Sequence, residues 1–534
     1  MAAPPDYEIV ERDEAGQEAC TYVLGLKGRR VLMVCFSQRP VQTKSYAQQL
    51  LDVFLPVGYP QSVTEDYIQY QIYDSLQAFS SSIAGMLASR AVLEGDPLAF
   101  TSFPRFNFHV SCLHFPSRYR GIVCVNSCLG SSAMLQPTPL PVPSFRIIPG
   151  HHANGRTGVG VGDASASPTA ALLLSVLQES MGRIATILFA HRLGTALEPE
   201  CKMYRLAADV FNDTAMILDC LSPAFPKPLR VLVLSFSSVL RSLCGVCAGS
   251  AKASLSAHFA RKGNLGEVNA KDSSQETVIS LLGMLAGSVV VSWVSTPMAT
   301  WTTLIALLSI HLATNYAAVQ AVSMRCLNRQ RANILFSSIL EHGEILSPSD
   351  VSKRERVFER DGVLRWADDE ILGHCRIGVT LNVLLGRFGR PHPLTGSVDL
   401  HASLMSALLD TFADEAYILW PGYAEKDTLI VLKAGCSPID QLKAWAHALL
   451  LAKTVRGEGS KSKPADDDAS LFKDRLAEIR RTSEHTRVLF TEHVQRLKNK
   501  GWDLDVVALE TRAGTRVWVD AEKSQFSPQA SSSK

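Results

Sequence analysis

The sequence predicts a mainly α protein, in which a bundle of long, membrane-embedded helices precedes a small α+β domain. Three observations support this fold class. The chain has no Asp, Glu, Lys or Arg from Thr277 to Met324, although 19% of all its residues are charged. Other long, weakly charged stretches rich in Ala, Leu, Ser and Gly come before that run. From about Ser347 onward charged residues recur every few positions, which is typical of a domain in water.

The apolar stretches are long enough to cross a bilayer. A membrane-spanning helix needs about 17–25 residues, because it rises about 1.5 Å per residue. Turn signals at 221–228, 261–267 and 295–297 separate neighbouring stretches. Helices are therefore predicted at 75–93, 168–190, 229–251, 277–295 and 300–324.

Two glycine pairs with G-x-x-x-G spacing lie inside these helices. Gly245 with Gly249, and Gly283 with Gly287, remove side-chain bulk from one helix face, so another helix can approach closely. This spacing is compatible with packing in lipid or in a large soluble bundle. The second pair favours lipid, because a helix that is apolar all round either spans a membrane or is wholly buried. Membrane lipid is thus the first predicted partner, and a related subunit or a second copy of the chain is the next.

The helical domain is predicted over residues 42–345, after a variable N-terminal segment at 1–41. Residues 95–157 interrupt it with many Pro, Phe and Cys and with neither helical nor strand periodicity, so they are predicted to be an insertion. No metal site is predicted there, since the paired Cys-x₂-Cys spacing is missing among Cys112, His114, Cys124 and Cys128.

The α+β domain is predicted over residues 370–520. Residues 415–423 and 427–435 have the composition of a strand pair. An amphipathic helix follows at 437–455, with Ser437 as its cap. The rest is a solvated linker at 456–470, a helix that ends at Gly501, an alternating segment at 506–520 expected to form a hairpin, and a disordered tail at 521–534.

Composition excludes several functions. The net charge of +2 and the pI near 8.0 do not predict a nucleic-acid partner, because phosphate backbones are bound by clustered Lys and Arg. The N-terminus is acidic and lacks an apolar core, so no secretory signal peptide is predicted. The sequence has no G-x-S-x-G, H-E-x-x-H or kinase motif, and we predict no catalytic residue, no enzymatic activity and no particular cofactor.

A cluster of polar residues at 205–219 is a candidate binding site. Arg205, Asp209, Asn212 and Asp213 fall on one helical face, so the two carboxylates could form an acid/base or metal pair. The structural alternative is that Arg205 neutralises Asp209, while Asp213 meets a cation from a neighbouring helix. Arg183 and Arg241 are the predicted cations. Charged groups in apolar helices often mark polar pathways or partner contacts.

A second polar block precedes the long uncharged run. In residues 264–277, Asp272 or Ser273 could cap a helix that starts there, with Gln275 or Glu276 reaching back to the exposed amides. The functional alternative is a polar loop from Glu267 to Glu276 that binds a ligand at the mouth of the bundle. The predicted binding residues from both blocks are Arg183, Asp209, Asn212, Asp213, Lys271, Gln275 and Glu276.

Five stretches in a fixed order carry a resemblance to a known family. They are "FLPVGYPQSVTEDYIQYQIYDSLQAF" (54–79), "MGRIATILFA" (181–190), "RLAADVFNDTAM" (205–216), "NLGEVNAKDSSQET" (264–277) and "HLATNYAAVQAV" (311–322). Together they resemble the root UVB sensitive (RUS) family of plants, animals and fungi. The match covers 42–345 closely, apart from the insertion, and 370–520 loosely.

The resemblance implies a membrane protein in transport or in a signalling or homeostasis complex. Plant members are linked to ultraviolet-B responses in roots, auxin transport and vitamin B6 homeostasis, and some act as pairs. It therefore implies a homologous family member or a homo-oligomer as partner, and a membrane without a particular organelle. It assigns no chemistry to the family-like polar positions Pro56, Gly58, Asp66, Tyr70, Gln71, Asp74, Arg183, Asn212, Asp213, Asn264, Gly266, Lys271, Gln275, Glu276, Asn315 and Tyr316.

The chain departs from the family pattern in two places. Residues 96–158 stand where members run directly from a "VLEG"-like end into "VGVGDA"; a retained intron would explain this and would splice Gly95 onto Val159. The chain has "VLQESMGR" where members tend to show Asp-Gly-x-Gly. The leading hypothesis is a non-enzymatic polytopic membrane protein, and the alternative is a soluble helical enzyme or pyridoxal-phosphate-binding protein.

Overall fold

A computed structural model describes most of the chain. The described residues are 7–12, 18–27, 30–36, 54–94, 168–261, 263–389, 392, 398, 402–422, 427–458, 468–512 and 514–519. The predicted insertion at 95–157, with its cysteines and histidine, lies outside them, as do most of the linker and the tail. Within the described residues the chain is mainly α, with a small α+β region at its C-terminal end, as predicted.

Six long helices of the described residues form the N-terminal bundle. Each predicted helix is confirmed, and most are longer than predicted because the flanking polar residues continue the helix. The helices are α1 (Tyr67–Glu94), α2 (Pro168–Leu197), α3 (Cys201–Leu221), α4 (Lys227–Phe259), α5 (Leu265–Trp293) and α6 (Pro297–Ala321).

The breaks between helices follow from local chemistry. Pro226 and Pro228 stop and restart the chain between α3 and α4, since proline suits the first turn of a helix. Between α5 and α6, Thr296 caps the new helix by accepting a hydrogen bond from the amide of Ala299 at 3.3 Å. Gly263 precedes α5 at a φ of +78°, which glycine adopts without strain.

The helices of the bundle alternate in direction. α1 packs against α5, α6 and α3, while α4 packs against α2 and α3. Small and branched residues fill the α1–α6 contact, where Ala84 and Ala88 are buried with Leu304 and Leu308. α1, α3 and α5 point one way, and α2, α4 and α6 point the other way.

A three-stranded antiparallel sheet precedes the bundle, in a segment for which no structure was predicted. Its strands are consecutive in the sheet: β1 (Tyr7–Arg12), β2 (Glu18–Lys27) and β3 (Arg30–Phe36).

The C-terminal domain surrounds a mixed sheet. The helices are α7 (Arg329–His342), α8 (Pro348–Arg354), α9 (Leu381–Leu385), α10 (Ala402–Thr411), α11 (Pro438–Glu458) and α12 (Asp468–Asn499). The strands are β4 (Cys326–Asn328), β5 (Val363–Arg365), β6 (Ile371–Ile377), β7 (Tyr417–Gly422), β8 (Asp427–Lys433), β9 (Asp503–Ala508) and β10 (Arg516–Val517).

The predicted strand pair is confirmed and the predicted hairpin is wrong. β7 and β8 are antiparallel, with Tyr417 opposite Leu432. β9 and β10 do not pair with each other, because each finds a parallel partner from elsewhere: β9 lies beside β4, and β10 beside β8. The residues between them form a loop that returns to the helical bundle.

Helix α11 is the centre of the C-terminal core. It begins at the predicted cap, where the Ser437 hydroxyl accepts from the amide of Asp440 at 3.2 Å. Trp445 is fully buried on it, and its Nε1 donates to Oδ1 of Asn333 on α7 at 2.8 Å. His447 is also buried and lies between the Tyr417 hydroxyl (3.0 Å) and the Thr482 hydroxyl (2.9 Å).

A buried ion pair joins the C-terminal domain to the bundle. Lys202, at the start of α3, lies 2.6 Å from Oε2 of Glu355, and both side chains are less than a tenth exposed. Arg331 lies 3.6 Å from the other carboxylate oxygen of Glu355. Burial by itself would raise the pKa of Glu355, but the two cations hold it below its ordinary value. The carboxylate is therefore charged and fixes the two units together.

Candidate functional site

Polar side chains from α1, α3 and α6 meet inside the helical bundle. Asp209 and Asp213 lie one turn apart on α3, and His311 and Asn315 lie one turn apart on α6, so each pair faces the other across the contact. Gln77 of α1 completes the group. We call these five residues the polar cluster.

His311 is the centre of the polar cluster. Its side chain is 1% exposed, with Nδ1 2.9 Å from Oδ1 of Asp213 and Nε2 3.5 Å from Oδ2 of Asp209. Gln77 Nε2 lies 2.8 Å from Nε2 of the imidazole and donates to Asp209 at 2.7 Å. Because the imidazole of His311 lies between two carboxylates, it can bind or release a proton with little movement of the neighbouring side chains.

The polar cluster continues toward the start of α1. Arg205 on α3 pairs with Asp74 of α1 and donates to Oε1 of Gln77 at 3.4 Å. Tyr70 lies beside Asp74 at 3.4 Å. Among the described residues, Nε of Arg205 and Oδ1 of Asn315 are buried without a hydrogen-bond partner. These two atoms could hold a water molecule or a small polar solute.

The predicted arrangement of the charges on α3 is partly wrong. Arg241 pairs with Asp219, and Asp213 meets His311 instead of an arginine. Arg183 lies on the outside of α2, where its side chain is 82% exposed and 3.9 Å from Glu179. Arg183 points away from the bundle because it lies on a different face of α2 from the residues that pack on α4.

The second predicted block forms part of a helix, and the predicted cap at Asp272 or Ser273 is wrong. α5 begins at Leu265, directly after Asn264, and continues without a break through Asp272 and Ser273. The segment from Glu267 to Glu276 is therefore helical, not a loop at the mouth of the bundle.

The polar side chains of this block bind neighbouring parts of the bundle. Asp272 accepts from Gln71 of α1 at 2.9 Å and pairs with Lys252 of α4 at 2.7 Å. Glu276 also pairs with Lys252, at 2.8 Å.

Two side chains of α5 also hold the chain that leads into α1. Gln275 donates to the carbonyl of Phe54 at 2.6 Å, and Glu267 accepts from the amide of Val57 at 2.7 Å. Of the other predicted residues, Asn212 lies beside Asp213 at 3.4 Å and Lys271 is half-buried on α5.

The two glycine pairs differ in their surroundings. A Cβ added at Gly283 would lie 2.7 Å from Cβ of Ser82 on α1, and at Gly287 it would lie 3.3 Å from Cα of Ile83. α5 thus contacts α1 closely along this face. Gly245 and Gly249 have no atom of another helix within 4 Å of such a Cβ, so the close packing predicted at that pair is not present among the described residues.

Sequence reasoning did not include Gln77 or His311 among the predicted binding residues. A signal for the first existed, since Gln71, Asp74 and Gln77 follow one another at intervals of three along α1. No signal in the sequence connects His311 to the aspartates. Among the described residues no group of three or more His, Cys, Asp or Glu side chains is arranged to hold a metal ion.

In the part of the chain that the structure describes, four helices are long and apolar enough to cross a membrane: 172–197 of α2, 228–259 of α4, 265–293 of α5 and 297–321 of α6. Their outward faces carry large apolar side chains. Ile187, Leu232, Leu285 and Trp293 are between 58% and 83% exposed.

Two family models match the chain. The first is described as "Vitamin B6 photo-protection and homoeostasis domain" and matches residues 40–343, and the second, "Root UVB sensitive protein, C-terminal", matches residues 392–513. No solved structure matches the chain.

Similar proteins come from an amoeba and a plant. The Dictyostelium discoideum protein "RUS family member 1" is 34% identical over 313 residues, which is 58% of this chain and 47% of that protein. The Arabidopsis thaliana "Protein root UVB sensitive 3" is 28% identical over 410 residues, 76% of each chain. "Protein root UVB sensitive 2, chloroplastic" of the same plant is 21% identical over 449 residues, 84% of this chain and 83% of that protein. With more than half of its length matched by the first family model, the chain belongs to the root UVB sensitive family.

Proposed function

We propose that this chain is a polytopic membrane protein that transports a small polar species or protons through the polar cluster, without enzymatic chemistry. The observation that carries the proposal is the contrast between the two sides of the helices: large apolar side chains face outward on α2, α4, α5 and α6, while ionisable groups are buried between α1, α3 and α6. Water would solvate such outward faces poorly, whereas acyl chains match them.

The depth of the polar cluster supports transport. Gln77 lies ten residues from the start of α1, and His311 lies ten residues from the end of α6, on the side where the C-terminal domain sits. At 1.5 Å per residue, both are about 15 Å from that face, or about half of a bilayer core of roughly 30 Å. Ionisable groups inside membrane bundles commonly belong to ion or proton pathways, which makes this depth informative.

Membrane embedding is tested first, by fluorescence quenching in vesicles that contain brominated acyl chains. Trp293 at the end of α5 and Trp518 after β10 are both strongly exposed, at 83% and 75%, so they form a matched pair. We expect Trp293→Phe to remove a large part of the quenchable emission and Trp518→Phe to remove none. Equal quenching of both variants, or recovery of the protein in the carbonate-soluble fraction of membranes, would reject the proposal.

Transport is tested separately, with purified protein in vesicles loaded with a pH-sensitive dye. We expect a proton gradient to collapse faster with the protein than without it, and His311→Gln to abolish the difference. Arg183→Gln, on the outer face of α2, is the control for a charge lost away from the polar cluster. Unchanged flux in His311→Gln would exclude the polar cluster as the pathway.

The alternative function is a soluble enzyme or a pyridoxal-phosphate-binding protein. The mention of vitamin B6 in the description of the matching family model favours it. Its test is the absorbance of pyridoxal bound to the purified protein, lost in Lys271→Ala. A protein that is colourless after incubation with pyridoxal phosphate would reject it.

A further inference from the structure

A cavity of about 250 Å³ lies at the junction between the helical bundle and the C-terminal domain. Its walls come from the end of α2, the start of α3, the start of α7, the loop before β5 and the loop after β9. Leu193, Ala196, Met203 and Tyr204 make one wall apolar. The rest of the lining includes three carboxylates, of Glu200, Glu359 and Asp361, and four arginines: Arg192, Arg329, Arg360 and Arg512.

One of these arginines is a structural residue. Arg329 is 8% exposed, donates from Nε to the carbonyl of Leu509 at 2.6 Å and from Nη2 to the Thr511 hydroxyl at 2.8 Å, and pairs with Asp361. These contacts fix the loop after β9 against α7. Because Asp361 already pairs with Arg329, its carboxylate contributes little to neutralising a second cation.

The other carboxylates of the cavity have partners of their own. Glu359 pairs with Arg365 at 2.8 Å. Burial raises the pKa of Glu200, which accepts a hydrogen bond from Asn328 at 3.2 Å. The described residues provide no ion pair for the guanidinium groups of Arg192, Arg360 and Arg512.

Three positive charges around one cavity favour a ligand that carries more than one negative charge. A carboxylate supplies one negative charge, whereas a phosphate monoester supplies about 1.5–2 near pH 7 together with three acceptor oxygens. Planar guanidinium groups bind such oxygens in bidentate pairs, which a lysine cannot do. The apolar wall gives room for the organic part of the ligand.

We propose that this cavity is a binding site for a phosphate monoester, held by Arg192, Arg360 and Arg512. The phosphate could belong to a lipid headgroup or to a free metabolite. Arg192 lies in the last turns of α2, one of the four candidate membrane spans, so the cavity is close to the level at which headgroups would lie. Only the lipid source depends on the membrane function proposed above.

The test measures thermal stabilisation of the full-length protein in neutral detergent. Glycerol 3-phosphate and short-chain phosphatidic acid carry the same phosphate monoester without and with acyl chains. Short-chain phosphatidylcholine and acetate are the matched controls for acyl chains and for a single negative charge. We expect at least one phosphate monoester to raise the unfolding temperature, and neither control to do so.

The variant for this test is R192Q/R360Q/R512Q, which leaves Arg329 in place. We expect the ligand concentration for half-maximal stabilisation to rise about a hundredfold or more, since each of the three lost charge-assisted contacts costs about tenfold. R480Q/R487Q/R496Q removes three exposed arginines of α12 and should respond as the unmodified protein does.

The possible outcomes distinguish the two sources of the phosphate, and they distinguish failure of this site from failure of the proposed transport function. A response to both monoesters assigns a free phosphate, and a response to phosphatidic acid alone assigns a lipid headgroup. No response to either, an equal response to acetate, or an unchanged response in R192Q/R360Q/R512Q overturns the site. The unfolding measurement needs neither a bilayer nor transport. The phosphate site can therefore be rejected while the proposed transport function stands, and the transport function can be rejected while the site stands.

Discussion

The contact between α5 and α1 can be tested with one methyl group. In Gly283→Ala the added Cβ would lie 2.7 Å from Cβ of Ser82 and 3.0 Å from the carbonyl oxygen of Phe79, so backbone must move. Such overpacking costs about 1–3 kcal/mol. Replacing a helical glycine by alanine gains roughly 1 kcal/mol from backbone entropy. The net effect on the free energy of unfolding is therefore a loss of about 0–2 kcal/mol.

Gly245→Ala is the matched control for this substitution. It gains the same propensity term, and no described atom of another helix lies within 4 Å of the new Cβ. The two variants should therefore differ by about 1–3 kcal/mol, or roughly 2–12 °C in unfolding temperature for a unit of about 150–250 residues. The assay is thermal unfolding in detergent at one scan rate. Gly283→Ala as stable as Gly245→Ala would show that α5 does not pack on α1 through this face.

Three further predictions concern buried polar groups. Lys202→Met should destabilise the protein by about 3–5 kcal/mol in urea unfolding, because it leaves the buried Glu355 with Arg331, 3.6 Å away, as its one remaining cation, whereas the double variant with Glu355→Gln should recover part of the loss. Burial lowers the pKa of His447 to about 3, so its neutral form stabilises the C-terminal domain above pH 6.5, and this contribution should fall as the pH drops from 6.5 toward 3. The urea midpoint of that domain should therefore depend less on pH in His447→Gln. Asp66→Asn should cost about 1–3 kcal/mol of thermal stability, because Asp66 accepts from the amide of Ser323 at 2.7 Å and contacts His258 at 3.0 Å.

The helices were predictable because their signal is local. Each apolar run carries its own length and its own proline or glycine boundary, so the existence of α2, α4, α5 and α6 follows from the sequence alone. The cap predicted at Asp272 failed for the same reason. A local pattern cannot distinguish a helix start from polar residues inside a helix that bind a distant segment, here Gln71 of α1.

The polar cluster was only half predictable. Asp209 and Asp213 were found because their spacing puts them on one face of one helix. His311 is 98 positions from Asp213 and 234 from Gln77 in the chain, and no local pattern joins residues that far apart. The arginine-lined cavity was missed for a similar reason, since its walls come from five separate segments.

The direction of the helices fixes which face of the bundle each connection occupies. Lys202 at the start of α3 meets Glu355 of the C-terminal domain, and Asp66, just before α1, meets Ser323, just after α6. Odd-numbered helices therefore start, and even-numbered helices end, beside the C-terminal domain.

The opposite face follows from the same alternation. α1 ends there beside the end of α5, where Arg90 donates to the carbonyl of Val291, and α2 begins there. The described chain thus ends at Glu94 and resumes at Pro168 on the face away from both the arginine-lined cavity and the C-terminal domain.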